Sequence, residues 1–207
     1  TTGNSNTTIG SYSLYKVTTG QSNVAVGASV LYDCVTGANN TAVGHQAANN
    51  TTSSSNTAVG SQALYKNVSG TFNVALGYQA LYENTTSYNT AVGYKAGTET
   101  TSGNHNCFFG YQAGENNTIG GYNVAIGDSA LINNTSAYFG VATGMEALKN
   151  NTTGGNNVAT GGRALLNNTT GSNNVATGYS ALANTTTGSD NVANGYWALR
   201  NNTTGVR

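Results

Sequence analysis

Polar and apolar positions alternate along this chain in short bursts of five residues. In Asn23-Val24-Ala25-Val26-Gly27 the β-branched residues take the second and fourth places, and small or polar residues take the rest. A period of two is strand periodicity, and a helical stripe cannot be laid over it. The burst returns along the whole chain. It closes each time on a glycine: Gly10, Gly27, Gly44, Gly60, Gly77, Gly93, Gly110, Gly127, Gly144, Gly161, Gly178 and Gly195. The steps are 17 or 16 residues, so the 207 residues are twelve copies of one unit. So short a period predicts one rung of a stacked β architecture.

We number the unit from zero at its leading asparagine. Its consensus is Asn, Val/Thr, Ala, Val/Ile/Thr, Gly, x, x, Ala, Leu, x, x, Asn, Thr, Thr, Gly, x, x. Positions 7 to 9, as in Ala63-Leu64-Tyr65 and Ala80-Leu81-Tyr82, suggest a second short strand. Between the strands lies turn chemistry: glycine at position 4, and Asn-Thr-Thr-Gly at 11 to 14, where Gly and Asn supply positive φ. From Gly27 to Gly195 the position-4 glycines are therefore structural turn residues. The two short steps, 44 to 60 and 77 to 93, each drop one residue between the Ala-Leu pair and the next asparagine. Loops absorb such deletions and stacked strands do not.

Two strands and two turns make one coil of an all-β, parallel β-solenoid of about twelve coils. At the inter-strand spacing the rod would be roughly 55–60 Å long. Val, Ile and Leu at positions 1, 3 and 8 are its natural filling, with close approach at Ala 2, Ala 7 and Gly 4. The pattern leaves open which face turns inward. A face of Ala and Gly would need another surface against it, so association of several rods is expected. Residues 1–207 form a single repeat domain without visible caps, beginning and ending in nearly the same phase. That fits an excerpt of a longer fibre, or a subunit whose ends neighbours cover.

Composition narrows the function. Charged residues are 7% of the chain and the net charge is zero, against about 25% charged in average domains. Electrostatic binding of nucleic acid or of an anionic membrane has no basis here. No run of 18 apolar residues is present, so the chain is not membrane-spanning. Cys34 and Cys107 fall more than four rungs apart, roughly 20 Å, beyond disulfide reach. Both read as small buried or half-buried residues.

Units such as Asn23 to Gly27, Asn73-Val74-Ala75-Leu76-Gly77 and Asn123-Val124-Ala125-Ile126-Gly127 resemble the head repeats of YadA-like trimeric autotransporter adhesins. Asn89-Thr90-Ala91-Val92-Gly93-Tyr94-Lys95-Ala96 is similar to repeats in bacteriophage tail-fibre shafts. The resemblance covers essentially the entire chain. It implies a left-handed parallel β-roll, three chains around one axis, and a surface role in attachment. The unit departs from adhesin heads in length, its extra residues lying in the Asn-Thr-Thr-Gly corner.

No catalytic constellation is visible, no cofactor or metal site is expected, and the chain does not read as an enzyme. His45 and His105 are about 60 residues apart at different unit positions, and the seven acids are scattered. Sequons at Asn50, Asn84, Asn134, Asn151, Asn168, Asn184 and Asn202 have two readings. Either they mark a row of glycans along one edge, or an Asn-rich turn generates them by accident. Tyr78, Tyr94 and Tyr111 share position 5 in successive units, and Tyr196 with Trp197 repeats the theme. They read as a ladder or chain–chain contact, or as a strip for a carbohydrate or cell-surface receptor. Flat threonine arrays on solenoids can bind ice, but here only three successive rungs, Thr143, Thr160 and Thr177, are in register, and the Thr-Thr pairs at positions 12 and 13 sit in a turn. The expectation is an extracellular structural fibre or adhesin shaft on a cell surface or virion. The alternative is a subunit of an end-to-end filament, glycosylated at the sequons.

Overall fold

The computed structural model describes residues 2–205. Twelve three-residue strands, β1 (Thr7–Ile9), β2 (Val24–Val26), β3 (Thr41–Val43), β4 (Thr57–Val59), β5 (Val74–Leu76), β6 (Thr90–Val92), β7 (Cys107–Phe109), β8 (Val124–Ile126), β9 (Val141–Thr143), β10 (Val158–Thr160), β11 (Val175–Thr177) and β12 (Val192–Asn194), form one parallel sheet in chain order. Every pairing joins equivalent unit positions, as in Ala25 beside Ala42 and Ala142 beside Ala159. The chain is a β-solenoid, and each coil is named below by its strand. No helix among the described residues is long and apolar enough to cross a membrane.

Inside and outside differ from the simplest reading of the pattern. In every strand but β1 and β7, whose central residues are Thr8 and Phe108, the central alanine points inward and is fully buried from Ala25 to Ala176, whereas positions 1 and 3 face out. Val74, Leu76 and Ile126 are 39, 45 and 44% exposed. At positions 1 and 3 valine and isoleucine are therefore not the filling, and the one fully buried valine among the described residues is Val30 at position 7. The core is a thin seam of Ala from position 2 against Ala and Leu from positions 7 and 8. The coil is too narrow to take a β-branched residue from each wall. The Ala/Gly surface that would have called for a neighbouring rod is spent inside the coil.

The second strand is absent. Positions 4 to 11 form two consecutive turns, with the position-7 N–H donating to the position-4 carbonyl (Ala63 to Gly60, 3.3 Å) and the position-11 N–H to position 8 (Asn151 to Leu148, 3.1 Å). Their main chain still bonds between coils, as Leu131 N–H to Ala147 and Asn133 N–H to Lys149 show. Three positions per coil, 6, 8 and 16, hold residues at positive φ, non-glycine everywhere except Gly97 and Gly114 at position 8, among them Gln46 at 55°, Leu148 at 50° and Tyr122 at 59°. Such residues are uncommon, and β-branched ones there are genuine outliers. No residue in these three columns is Val, Ile or Thr, although all three abound elsewhere. The position-4 glycines have φ between +123° and +141° and stack with no room for a side chain: a Cβ on Gly27 would sit 2.7 Å from the Gly44 carbonyl oxygen.

Asparagine holds the coils in register. The position-0 side chain is buried and its Oδ1 accepts the N–H of the next position-0 residue, as Asn23 does from Asn40 at 2.9 Å. Its Nδ2 crosses its own coil to the position-14 carbonyl, where the position-11 asparagine also donates. Gly70 thus receives Asn56 at 3.0 Å and Asn67 at 2.7 Å. These bonds satisfy buried amides that would otherwise carry a large desolvation cost. Gly140 breaks the spine: it donates to Asn123 but has no side chain to offer Asn157. The one-residue deletions fall at position 13. In those coils Ser53 and Thr86 replace the position-14 glycine, and their hydroxyls donate to Gly70 and Gly103 of the next coil.

Candidate functional surface

The strand alternation that turns alanine inward sends columns 1 and 3 to solvent, with columns 16 and 5 on either side. Adjacent residues are at most about 3.6 Å apart along an extended chain, so the four columns make a band no wider than about 20 Å. In coils 5 to 8 this band is apolar and aromatic. Column 3 carries Leu76, Phe109 and Ile126, all exposed. Column 5 carries Tyr78, Tyr94 and Tyr111, stacked at 5.5 and 5.2 Å between centroids. In coils 9 to 12 column 3 becomes Thr143, Thr160, Thr177 and Asn194 and column 16 becomes Asn156, Asn173 and Asp190, while column 1 stays valine and column 5 keeps Met145, Tyr179 and Tyr196.

Column 16 contains a longer stack that the sequence reading missed. Phe72, Tyr88, His105, Tyr122 and Phe139 lie ring on ring over five successive coils, at 5.5, 4.9, 4.7 and 5.3 Å. The signal was present in their spacing of 16 or 17 residues. His105 is thus one ring of an aromatic ladder, not an isolated base. The ladders also change what the tyrosines can do. A stacked ring spends its faces on its neighbours and shows solvent its edge. Sugar recognition needs an open face, which only the terminal rings of each stack keep. Tyr196 lies against Tyr179 at 5.7 Å and Trp197 at 4.8 Å, and the Arg200 guanidinium sits 4.7 Å from the indole.

Charge is kept away from the band. Its four columns hold only Asp128 and Asp190, while the other described charges occupy columns 6, 9 and 10. Those columns are laced by ion pairs between coils, Lys16–Asp33 at 2.6 Å, Lys66–Glu83 at 2.7 Å and Arg163–Glu146 at 2.8 Å. The Lys149 and Arg163 hydrogen bonds hold the Glu146 carboxyl below its ordinary value, and the carboxylates of Asp33 and Glu83 raise Lys16 and Lys66. From Asn116 to Asn201 column 10 is instead an asparagine ladder, each amide donating to the next, as Asn133 does to Asn150 at 3.1 Å. The rod is amphipathic in cross-section.

Of the sequons, Asn84, Asn134, Asn151 and Asn168 are column-11 residues with fully or almost fully buried side chains. Asn84 donates to Thr86 at 2.7 Å and Asn168 to Gly171 at 2.9 Å. A glycan on any of these four would have to occupy the inside of the coil, so the expected glycan row is corrected there. Asn202 belongs to the same column, and its Oδ1 receives the Gly205 N–H at 3.0 Å. Asn50 and Asn184 lie in column 10, half-buried and facing out. Cys34 is buried, which raises its thiol above the ordinary value, and Cys107 is half-buried in column 1 of the band. Among the described residues no three His, Cys, Asp or Glu side chains converge as metal ligands would. No family model, curated protein or solved structure matches this chain.

Proposed function

We propose that the chain is the structural shaft of an extracellular fibre or adhesin that acts by surface contact. One observation carries this reading. Inside the coil nearly every polar group is tied into a ladder, while most of the large apolar side chains left exposed lie along one side of the rod, with Tyr15, Val35, Val68 and Ile119 away from it. A stack of coils bonded all round its perimeter is stiff, and each coil needs only its neighbours. Such a body transmits load and presents a long surface. The terminal rings of the ladders and the Tyr196–Trp197 pair are its contacts for a cell-surface receptor.

Cryo-electron microscopy of the native assembly tests the proposal. Coil stacks forming the shaft of a fibre that ends in a tip, or is planted on a cell or particle, are the expected result. A continuous filament of chains joined end to end would keep the structural role and remove the attachment role. Isolated single rods with no fibre at all would overturn both.

A further inference from the structure

We propose that two copies of the chain pair face to face through the apolar band of coils 5 to 8. The inference rests on the shaft reading and adds its immediate partner. Leu76, Phe109 and Ile126 form the centre, with the position-5 tyrosine ladder on one flank and the His105 ladder on the other. About half of each side chain is in solvent. At 150–250 Å² per aromatic side chain, the band exposes on the order of 1,000 Å². The largest patch on a typical monomer is about 300–600 Å². A stable interface takes about 800 Å² from each partner, so this band suffices for one complete interface.

Its composition selects the occupant. Interface centres are depleted of charge and enriched in aromatic residues, and Asp128, at the margin of coil 8, is the band's only carboxylate within coils 5 to 8. A neutral patch offers nothing to steer a charged partner, whereas a second copy presents the same flat, neutral, apolar surface. A contact between like patches is isologous and closes at two. The unbroken aromatic stretch lies on one face and in one place, because column 16 becomes Asn156, Asn173 and Asp190 and column 3 becomes Thr143, Thr160, Thr177 and Asn194 in coils 9 to 12, while column 16 is Ser5, Ser22, Asn39 and Ser55 in coils 1 to 3 and before. Three chains around an axis would each need two contact faces. Pairing is therefore the arrangement that covers the band.

Sedimentation velocity on the purified chain at micromolar concentration is the test, with far-UV circular dichroism to verify folding. The expected mass is that of two chains. L76K/I126K should give a folded single chain, and T177K, in the same column outside the patch, should remain paired. Alkylation of Cys107 should slow at least about tenfold on pairing, an apparent protection of about 1.4 kcal/mol, and recover on dilution or in L76K/I126K. A single-chain mass for the unmodified protein overturns the proposal. So does a three-chain mass, or pairing that L76K/I126K leaves intact. If L76K/I126K fails to fold, the Cys107 dilution series decides alone, and reactivity independent of concentration overturns the pairing. None of these results removes the shaft reading, which the fibre images test separately.

Discussion

Coils 6 and 7 fill the interior differently from coils 9 to 11, and the contrast shows how little space the coil has. In coils 9 to 11 the alanines Ala142, Ala159 and Ala176 pack with Leu148, Leu165 and Leu182, all fully buried. In coil 7 the strand alanine is replaced by Phe108, also fully buried, and the leucine position is glycine in two adjacent coils, Gly97 and Gly114. A Cβ on Gly97 would lie 2.6 Å from the Phe108 ring, and one on Gly114 would lie 2.5 Å from it. The backbone is not the reason for these glycines. Their φ is 60°, close to the 48° to 56° of the leucines in that column. The wall that gains a ring loses two side chains from the wall opposite, because interiors are packed to near-crystalline density.

The largest effect should come from undoing that exchange halfway. Phe108→Ala leaves a void lined by two glycines and should cost about 3–5 kcal/mol in urea unfolding. Gly114→Leu alone drives a side chain into the ring and should cost at least about 1–3 kcal/mol. The triple change Phe108→Ala, Gly97→Leu, Gly114→Leu writes the coil 9 solution into coils 6 and 7. It should recover most of the loss. A triple variant no more stable than Phe108→Ala would show that the two regions do not share one packing rule.

The next effect probes what the regions share, the left-handed column at position 8. Leu148→Ile keeps the volume, and such swaps usually cost less than about 1.5 kcal/mol. Here the branched Cβ must adopt φ near 50°, where even unbranched residues lose roughly 1–2 kcal/mol. Leu148 already bears that cost, so the loss for Ile is the volume-conserving change plus the added strain of branching, and should exceed that of Leu148→Met, which is unbranched at Cβ and should stay below about 1.5 kcal/mol. Equal losses for Ile and Met would mean that packing alone governs the column.

Much of this was legible in the residues. The period, the strand at positions 1 to 3 and the place of the deletions follow from the spacing, and the solenoid follows from the period. The facing of the strand did not follow. Hydrophobicity favours Val24 and Val26 inside, yet coil width decides, and width appears only when Ala25 is seen packed with the opposite wall. Positions 7 to 9 looked like a strand because their main chain does bond between coils. The absence of Val, Ile and Thr from columns 6, 8 and 16 was the available warning of left-handed turns. Phe108 and the two glycines were each visible as departures from consensus. Their connection required knowing that positions 2 and 8 face each other. The sequons of column 11 misled because a buried asparagine and an exposed one are spelled alike.

A smaller effect separates the spine of coil 9 from that of its neighbours. Gly140 stands where the other coils carry the position-0 asparagine, and Asn157 reaches back to the Gly154 carbonyl at 3.1 Å. Gly140→Asn should restore both the acceptor for the Asn157 N–H and the bond across the coil. The gain expected is about 1 kcal/mol, the net worth of a typical buried hydrogen bond. A Cβ there would sit 3.0 Å from Asn123 Oδ1, so this oxygen must yield by a few tenths of an ångström. A destabilised variant would mean that the glycine is required by local crowding and not merely tolerated.

The smallest effect tests whether the charged side of the rod contributes to stability at all. Glu146 bridges coils 9 and 10, accepting from Lys149 and Arg163 at 2.8 Å each. Both partners lower its folded pKa below the ordinary 4.5. A carboxyl depressed in the folded state stabilises it at pH above the unfolded value, and that contribution fades as pH falls through the folded one. Glu146→Gln should therefore lose a little stability at neutral pH, and the difference from the unmodified chain should start to fade near pH 4.5 and vanish once pH has fallen through the lower folded value. Half-exposed pairs of this kind contribute little and are screened by salt. A loss that persisted unchanged at acid pH would assign the role of Glu146 to packing on the Arg163 stem instead of charge.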